Sequence, residues 1–197
     1  MKADLLPASY QVIMDWVRPD SSVLDLGCGD GVLLELLVHR KQSRVQGIEI
    51  DEKAIYACVA RGLSVFHEDI DNGLTGYGDQ SFDYVILNES LQQVRRLDTV
   101  LQDSLRVGRQ VIVGFPNFAH YRARCQMFFR GKAPITPSLP YEWHDSPNLH
   151  FLSISDFISY CRGRGIKIDG SACLTGSQKK ILLTNLFART GLFLISK

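Results

Sequence analysis

Residues 23–37 read VLDLGCGDGVLLELL. An apolar run, an acid and three glycines fall within its first nine residues, and a leucine-rich stretch follows. The order predicts a buried strand, a sharp turn and then a helix. Glycines at the turn let the chain reverse sharply and let a ligand approach backbone atoms that a Cβ would shield. In an open α/β sheet, ligands sit beyond the carboxyl ends of the strands, which is where Gly27 to Gly31 falls.

The same alternation continues outward. Five short apolar runs that end in polar or acidic residues read as strands: 21–27, 43–50, 63–69, 82–88 and 109–116. Helical patterns separate several of them, in GVLLELLVHRK, in DEKAIYACVARG and in LDTVLQDSLRV before the fifth. Residues 71–81 carry three glycines and weak periodicity, so a loop or short helix is expected there. Residues 119–150 hold four of the seven prolines and three of the five histidines, and read as an insertion or lid over the sheet edge. Residues 153–165 resume as a helix with a Ser cap and an acid three residues on, and IKIDGSACL and GLFLISK supply two further strands. The expectation is one domain over 1–197, an α/β, Rossmann-like, doubly wound sheet of seven mostly parallel strands.

Composition narrows the function. With 22 basic and 21 acidic side chains the net charge is +1, so no global field draws in nucleic acid or an anionic membrane. No stretch approaches the roughly 18 apolar residues of a membrane span, and the N-terminal segment lacks the pattern of a signal peptide. Five widely spaced cysteines, without a C-x-x-C pair, read as reduced thiols of a cytoplasmic protein and provide no metal site.

The ligand can be read from the strand ends. A dinucleotide fingerprint is G-x-G-x-x-G, whereas Gly27, Gly29 and Gly31 bring the third glycine one place early. Asp25 and Asp30 flank the turn and would repel a pyrophosphate but attract a cationic group. Glu49, 20 residues beyond Gly29, is placed to accept hydrogen bonds from ribose hydroxyls. Asp69, 20 residues further, suits an exocyclic amino group on adenine, although Asp71 in the same acidic run is equally able to start a turn. Asn88 and Glu89 end the fourth strand. An amino-acid cation, a ribose and an adenine on one rim describe S-adenosylmethionine, or S-adenosylhomocysteine.

These motifs resemble those of the class I methyltransferases: VLDLGCGDG their glycine motif, GIEID their ribose-binding acid and HEDI their adenine-contacting acid. The resemblance implies ligand contacts from Asp25, Gly27, Cys28, Gly29, Glu49, Ile50, Asp69, Ile70 and Asn88. The whole chain further resembles the MetW family of methionine biosynthesis proteins, through DWVRPDSSVLDLGCGDG, NESLQQV, VGFPNFAHYRAR and LPYEWHDSPNLHFLSISDF. That resemblance implies a homoserine O-acyltransferase as protein partner.

Two activities stay open. One is a binding and regulatory module that works with the acyltransferase; the other is an active methyltransferase on an unknown acceptor. Methyl transfer to a hydroxyl needs a base within reach, yet the run after the fourth strand offers Leu91, Gln92, Gln93 and Val94. Candidate bases are His150, Tyr121 and His120, with His144 also in the insertion, and for each histidine a surface or capping role ranks ahead of catalysis. The stretch 118–132 joins aromatics to arginines; most of the aromatics are expected in the core and some of the arginines on a docking surface.

Overall fold

Residues Phe82–Asn88 form the strand β4, and its alternation defines the architecture. Tyr84 and Ile86 pack into one apolar layer, Val85 and Leu87 into another. A strand with both faces buried lies in the middle of a sheet that is covered on both sides. The computed structural model describes residues 6–175 and 183–197. Its other strands are β1 (Ser22–Leu26), β2 (Arg44–Glu49), β3 (Val65–His67), β5 (Gly108–Pro116), β6 (Lys167–Leu174) and β7 (Thr190–Ser196).

The sheet order is β3-β2-β1-β4-β5-β7-β6. All pairs from β3 to β5 are parallel, and β7 runs antiparallel to both neighbours. The expected seven-stranded, mostly parallel, doubly wound sheet is present. Strand order reverses between β1 and β4, and such a switch point opens a crevice at the carboxyl ends of the strands.

Helices fill both faces. On one side α1 (Ala8–Trp16) and α2 (Val32–Lys41) bury Val12, Ile13, Leu33 and Leu37 against Val23, Ile86 and Ile112. On the other, α4 (Leu97–Val107) and α6 (Ile154–Gly163) bury Leu101, Leu105, Phe157 and Cys161 against Leu24, Val85, Val113 and Phe193. The helix α3 (Glu52–Ala60) starts at Asp51, whose carboxylate accepts from Lys53 N and Ala54 N. A smaller cluster of Cys28, Leu34 and Cys58 lies at this edge of the sheet. The capping box read in 153–165 is formed: Ser153 Oγ accepts from Asp156 N, and the Asp156 carboxylate accepts from Ser153 N at 2.9 Å.

Some elements differ from the sequence reading. β3 keeps only three residues because it is the edge strand, and Phe66 is exposed there. The 71–81 region matches its reading as loop or short helix, with one 3-10 turn at Ile70–Asn72. The helix α1, which carries no strong periodic signal, is a finding of the structure, as is the short helix α7 (Thr184–Phe187). In 118–132 the expected packing fails. The helix α5 (Tyr121–Arg130) turns only Ala123 to the interior, and Phe128 and Phe129 stand 83% and 78% exposed. The sheet face is already filled by α1, α2, α4 and α6, so α5 has no apolar face left to cover.

Candidate functional site

A cavity of about 470 Å³ opens over the carboxyl ends of the strands beside the switch point. Gly27 after β1, Glu49 and Ile50 after β2, and Asp69 and Ile70 after β3 all line it. Five of the nine residues expected to contact a ligand therefore share one wall. Glu89, Ser90, Gln93, Val94 and Arg95, from the loop after β4, form the opposite part.

Local geometry explains the turn. Gly27, Gly29 and Gly31 all take positive φ (+78°, +55° and +78°). A Cβ on Gly27 would lie 2.9 Å from Ser90 Cβ, and both residues line the cavity. Glu49 Oε2 accepts from Gly29 N at 2.8 Å, while its Oε1 accepts from Ile50 N at 2.8 Å and Asp51 N at 3.0 Å. One carboxylate thereby joins the glycine turn to the end of β2. Asp69 caps the 3-10 turn through Asp71 N at 2.9 Å. Asp71 instead holds the loop before α4, accepting from Arg95 N and Arg96 N, each at 2.9 Å.

The other expected residues lie around the cavity rather than on its wall. Asp25 is buried, 3% exposed, beneath the turn. Burial first, and the neighbouring Glu49 charge second, raise its carboxyl to about 7. Cys28 points into the cluster with Leu34 and Cys58, its sulfur 3.9 Å from Cys58 Sγ. Gly29 has open space where a Cβ would stand and meets the cavity through Glu49. Asn88 ends β4 with a buried Oδ1. Asp30 departs from its expected role: its carboxylate caps Val32 N and sits 3.7 Å from Arg61, whose guanidinium also grips Glu35 at 2.6 Å.

The structure also reveals participants that the sequence did not expose. Tyr10 of α1 has its phenol pushed to about 12, by burial and then by the charges of Asp25, Asp30 and Glu89. Burial raises Glu89 as well, and its backbone takes φ +62°, a conformation that costs a non-glycine residue roughly 1–2 kcal/mol. Asn88 Oδ1, Ser90 Oγ and Gln92 Oε1 are buried without a hydrogen-bond partner among the described residues. Three such atoms fall within residues 88–92, although buried polar groups are normally paired. NESLQQV gave no sign of this, because only the fold shows which of its polar atoms are shut off from water.

The candidate bases sit elsewhere. His120, 3% exposed, caps α5 by accepting from Arg122 N, and burial together with Arg189 and Arg122 holds its imidazole below the usual value. Tyr121 lies against His120 and Phe187, its hydroxyl accepting from Arg122 Nε. His150 places Nε2 3.0 Å from Val94 O. None of the three lines the cavity. Among the described residues no His, Cys, Asp or Glu cluster forms a metal site, and no helix is long and apolar enough to cross a membrane.

The family profile "Methionine biosynthesis protein MetW" matches residues 7–195. The chain belongs to the MetW family. A MetW relative from Rhodopirellula baltica, the bifunctional methionine biosynthesis protein MetXA/MetW, is 38% identical over 160 residues, covering 77% of this chain and 26% of that protein. A ribosomal protein L11 methyltransferase from Burkholderia lata is 29% identical over 106 residues, covering 51% of the chain and 35% of that enzyme. The chain thus spans about a quarter to a third of the length of these relatives. Among solved structures, an S-adenosylmethionine-dependent methyltransferase from Mesorhizobium loti matches with a TM-score of 0.71 at 15% identity, covering 96% of this chain and 98% of that one. A putative one from Listeria monocytogenes gives 0.71 at 12% identity with the same coverages. This MetW protein is a methionine biosynthesis protein with the class I methyltransferase fold.

Proposed function

We propose that this MetW protein binds S-adenosylmethionine or S-adenosylhomocysteine in the 470 Å³ cavity and acts with a homoserine O-acyltransferase in the cytoplasm. The observation that carries the reading is the placement of Glu49 and Asp69, at successive strand ends, on one wall with Gly27. Glu49 and Asp69 would hold ribose and adenine, with Ile50 and Ile70 offering apolar surface to the base. Glu89 on the wall, with Asp25 beneath the turn, brings carboxyl groups to the place where an amino-acid ammonium and a sulfonium would sit. Ser90, in the opposite part of the lining, has a buried Oγ with no partner among the described residues, and the space at Gly27 is one a Cβ would close. The residues present fit the group. When bound, its sulfonium supplies an already activated methyl group; the chain binds, orients and shields it.

The partner rests on the Rhodopirellula baltica relative, whose name joins MetXA and MetW in one protein. We place its docking surface in 119–150, taken as one insertion: Phe128, Phe129 and Trp143 are each more than three-quarters exposed, and Arg122, Arg124 and Arg130 share the helix of the two phenylalanines. Aromatic and arginine side chains dominate binding hot spots. Calorimetric titration of S-adenosylmethionine and S-adenosylhomocysteine, into the protein alone and with the acyltransferase, tests both halves. Coupling between two ligands is reciprocal, so affinity that shifts with the partner supports a sensor. Affinity that ignores the partner removes the regulatory half, and absence of binding removes the ligand.

A second reading, catalytic methyl transfer, gains support from a further cavity that shares Glu89 and Gln93 with the first. In that reading Glu89, the carboxylate that both cavities share, takes the place expected of a histidine base. Acceptor-dependent formation of S-adenosylhomocysteine is its test.

A further inference from the structure

The second cavity, about 350 Å³, lies between the start of α1, the loop after β4, residues 137–148 and the start of β7. Its wall contains two charged side chains, Glu89 and Arg189. Arg189 is held in place through its backbone: its N–H donates to Leu174 O at 2.7 Å and its carbonyl accepts from Asn117 N at 2.7 Å. Its side chain is unspent. The Nε is buried without a partner, and no carboxylate lies within ion-pair distance among the described residues. His120 registers that charge, since Arg189 helps hold its imidazole below the usual value. Leaving a buried guanidinium N–H unmatched is costly, and a planar fork of donors is the shape that meets a carboxylate.

Gln92 supplies the complementary need. It is 3% exposed, its Nε2 donates to Glu89 O at 2.7 Å, and its Oε1 is buried with no donor among the described residues. One wall therefore offers a cationic donor that lacks an acceptor, an amide oxygen that lacks a donor, and an acid. The volume leaves room for a small polar molecule.

We propose that this cavity binds a small carboxylic acid that also carries a hydrogen-bond donor, either an amino acid or a hydroxy acid. Its carboxylate pairs with Arg189, and its ammonium or hydroxyl donates to Gln92 Oε1 beside Glu89. The inference stands on this cavity alone and goes beyond the adenosyl site, although Glu89 and Gln93 put the two ligands next to each other.

Saturation-transfer NMR on the whole chain, with and without S-adenosylhomocysteine, tests it with three matched probes: L-alanine, L-lactate and L-alaninamide. Alanine, lactate or both are expected to bind and the amide is not; which acid binds distinguishes ammonium from hydroxyl. Arg189→Met is expected to weaken the bound acid at least tenfold, and Arg189→Lys by less, with thermal midpoint and S-adenosylhomocysteine affinity unchanged. If Arg189→Met does not fold, Ser138→Trp, which fills the same cavity from the 137–148 side, is expected to abolish binding. Absence of both acids from the wild-type spectrum, equal binding of the amide, or binding unaltered in Arg189→Met or Ser138→Trp overturns the proposal. Acid binding without S-adenosylhomocysteine binding leaves it standing and removes the adenosyl reading instead.

Discussion

Glu49 reaches from the end of β2 to the turn after β1 and accepts the Gly29 N–H at 2.8 Å. Its other oxygen takes the N–H groups of Ile50 and Asp51. The carboxylate that lines the proposed ribose site is therefore also the brace of the glycine turn. Glu49→Ala is expected to lower S-adenosylmethionine affinity at least tenfold and to reduce stability by about 1–3 kcal/mol, because partly buried donors lose a charged acceptor. Calorimetry and urea unfolding measured together separate the two effects. Unchanged binding in a folded variant would place the ribose elsewhere.

Asp25 makes stability depend on pH in a defined direction. Its carboxyl rises from 3.8 to about 7 on folding, so the native chain holds that proton more tightly than the unfolded chain. Stability contributed by the neutral form is then complete in acid and declines as pH rises from about 4 to about 7. Asp25→Asn is expected to flatten that decline and to gain relative stability above pH 7, read from urea midpoints between pH 4 and 8.

Two glycines of the same turn are expected to respond differently to alanine. A Cβ on Gly31 would sit 2.6 Å from Leu63 Cδ1 and 2.8 Å from Cys58 Sγ, whereas one on Gly29 meets nothing within 4 Å. Both positions have positive φ and share a backbone cost of roughly 1–2 kcal/mol. Gly31→Ala adds overpacking of about 1–3 kcal/mol. Thermal unfolding is expected to show Gly31→Ala as the less stable variant; equal midpoints would mean the Cys58 and Leu63 side chains yield freely.

Thiol reactivity follows burial. Cys125 is exposed, while Cys28, Cys58 and Cys161 are buried, and burial pushes each of those three thiols above its usual value. Cys28 and Cys58 also face one another, with Cys58 Sγ 3.2 Å from Gly29 O. Iodoacetamide at pH 8 is expected to label Cys125 first and the buried three only on unfolding. Mass spectrometry of the labelled peptides checks the order; early labelling of Cys28 or Cys58 would show that the turn opens in solution.

Phe128 and Phe129 contact each other edge to face in solvent, and Trp143 is 81% exposed. Phe128→Ser and Trp143→Ser remove no core contact, so stability is expected to change by no more than about 0.5 kcal/mol. Affinity for the acyltransferase is expected to fall at least tenfold, measured by interferometry on purified proteins. Full affinity in both variants would move the docking surface off 119–150.

Much of this was local in the chain and therefore legible. Strand periodicity, the glycine turn at 27–31, the Ser153 capping box and the acids at the ends of β2 and β3 follow from backbone sterics and from a side-chain period of two. Those features act over a few residues, and they determined the strand order's ingredients and the position of the crevice. Side-chain direction within loops did not follow. Asp25, Asp30, Asp69 and Asp71 are the same residue type within one half of the chain, yet Asp25 is buried under the turn, Asp30 pairs with Arg61, and Asp69 and Asp71 both line the cavity, Asp71 while holding the Arg95 and Arg96 backbone. Each outcome depends on a partner 20 or more residues away in sequence, or on burial by a distant element. For the same reason the exposure of Phe128 and the unpaired atoms of Gln92 and Arg189 emerged only from the assembled structure. The local pattern specifies which faces are apolar, whereas the packing of the other helices decides which of those faces find cover and which polar atoms are shut away from water.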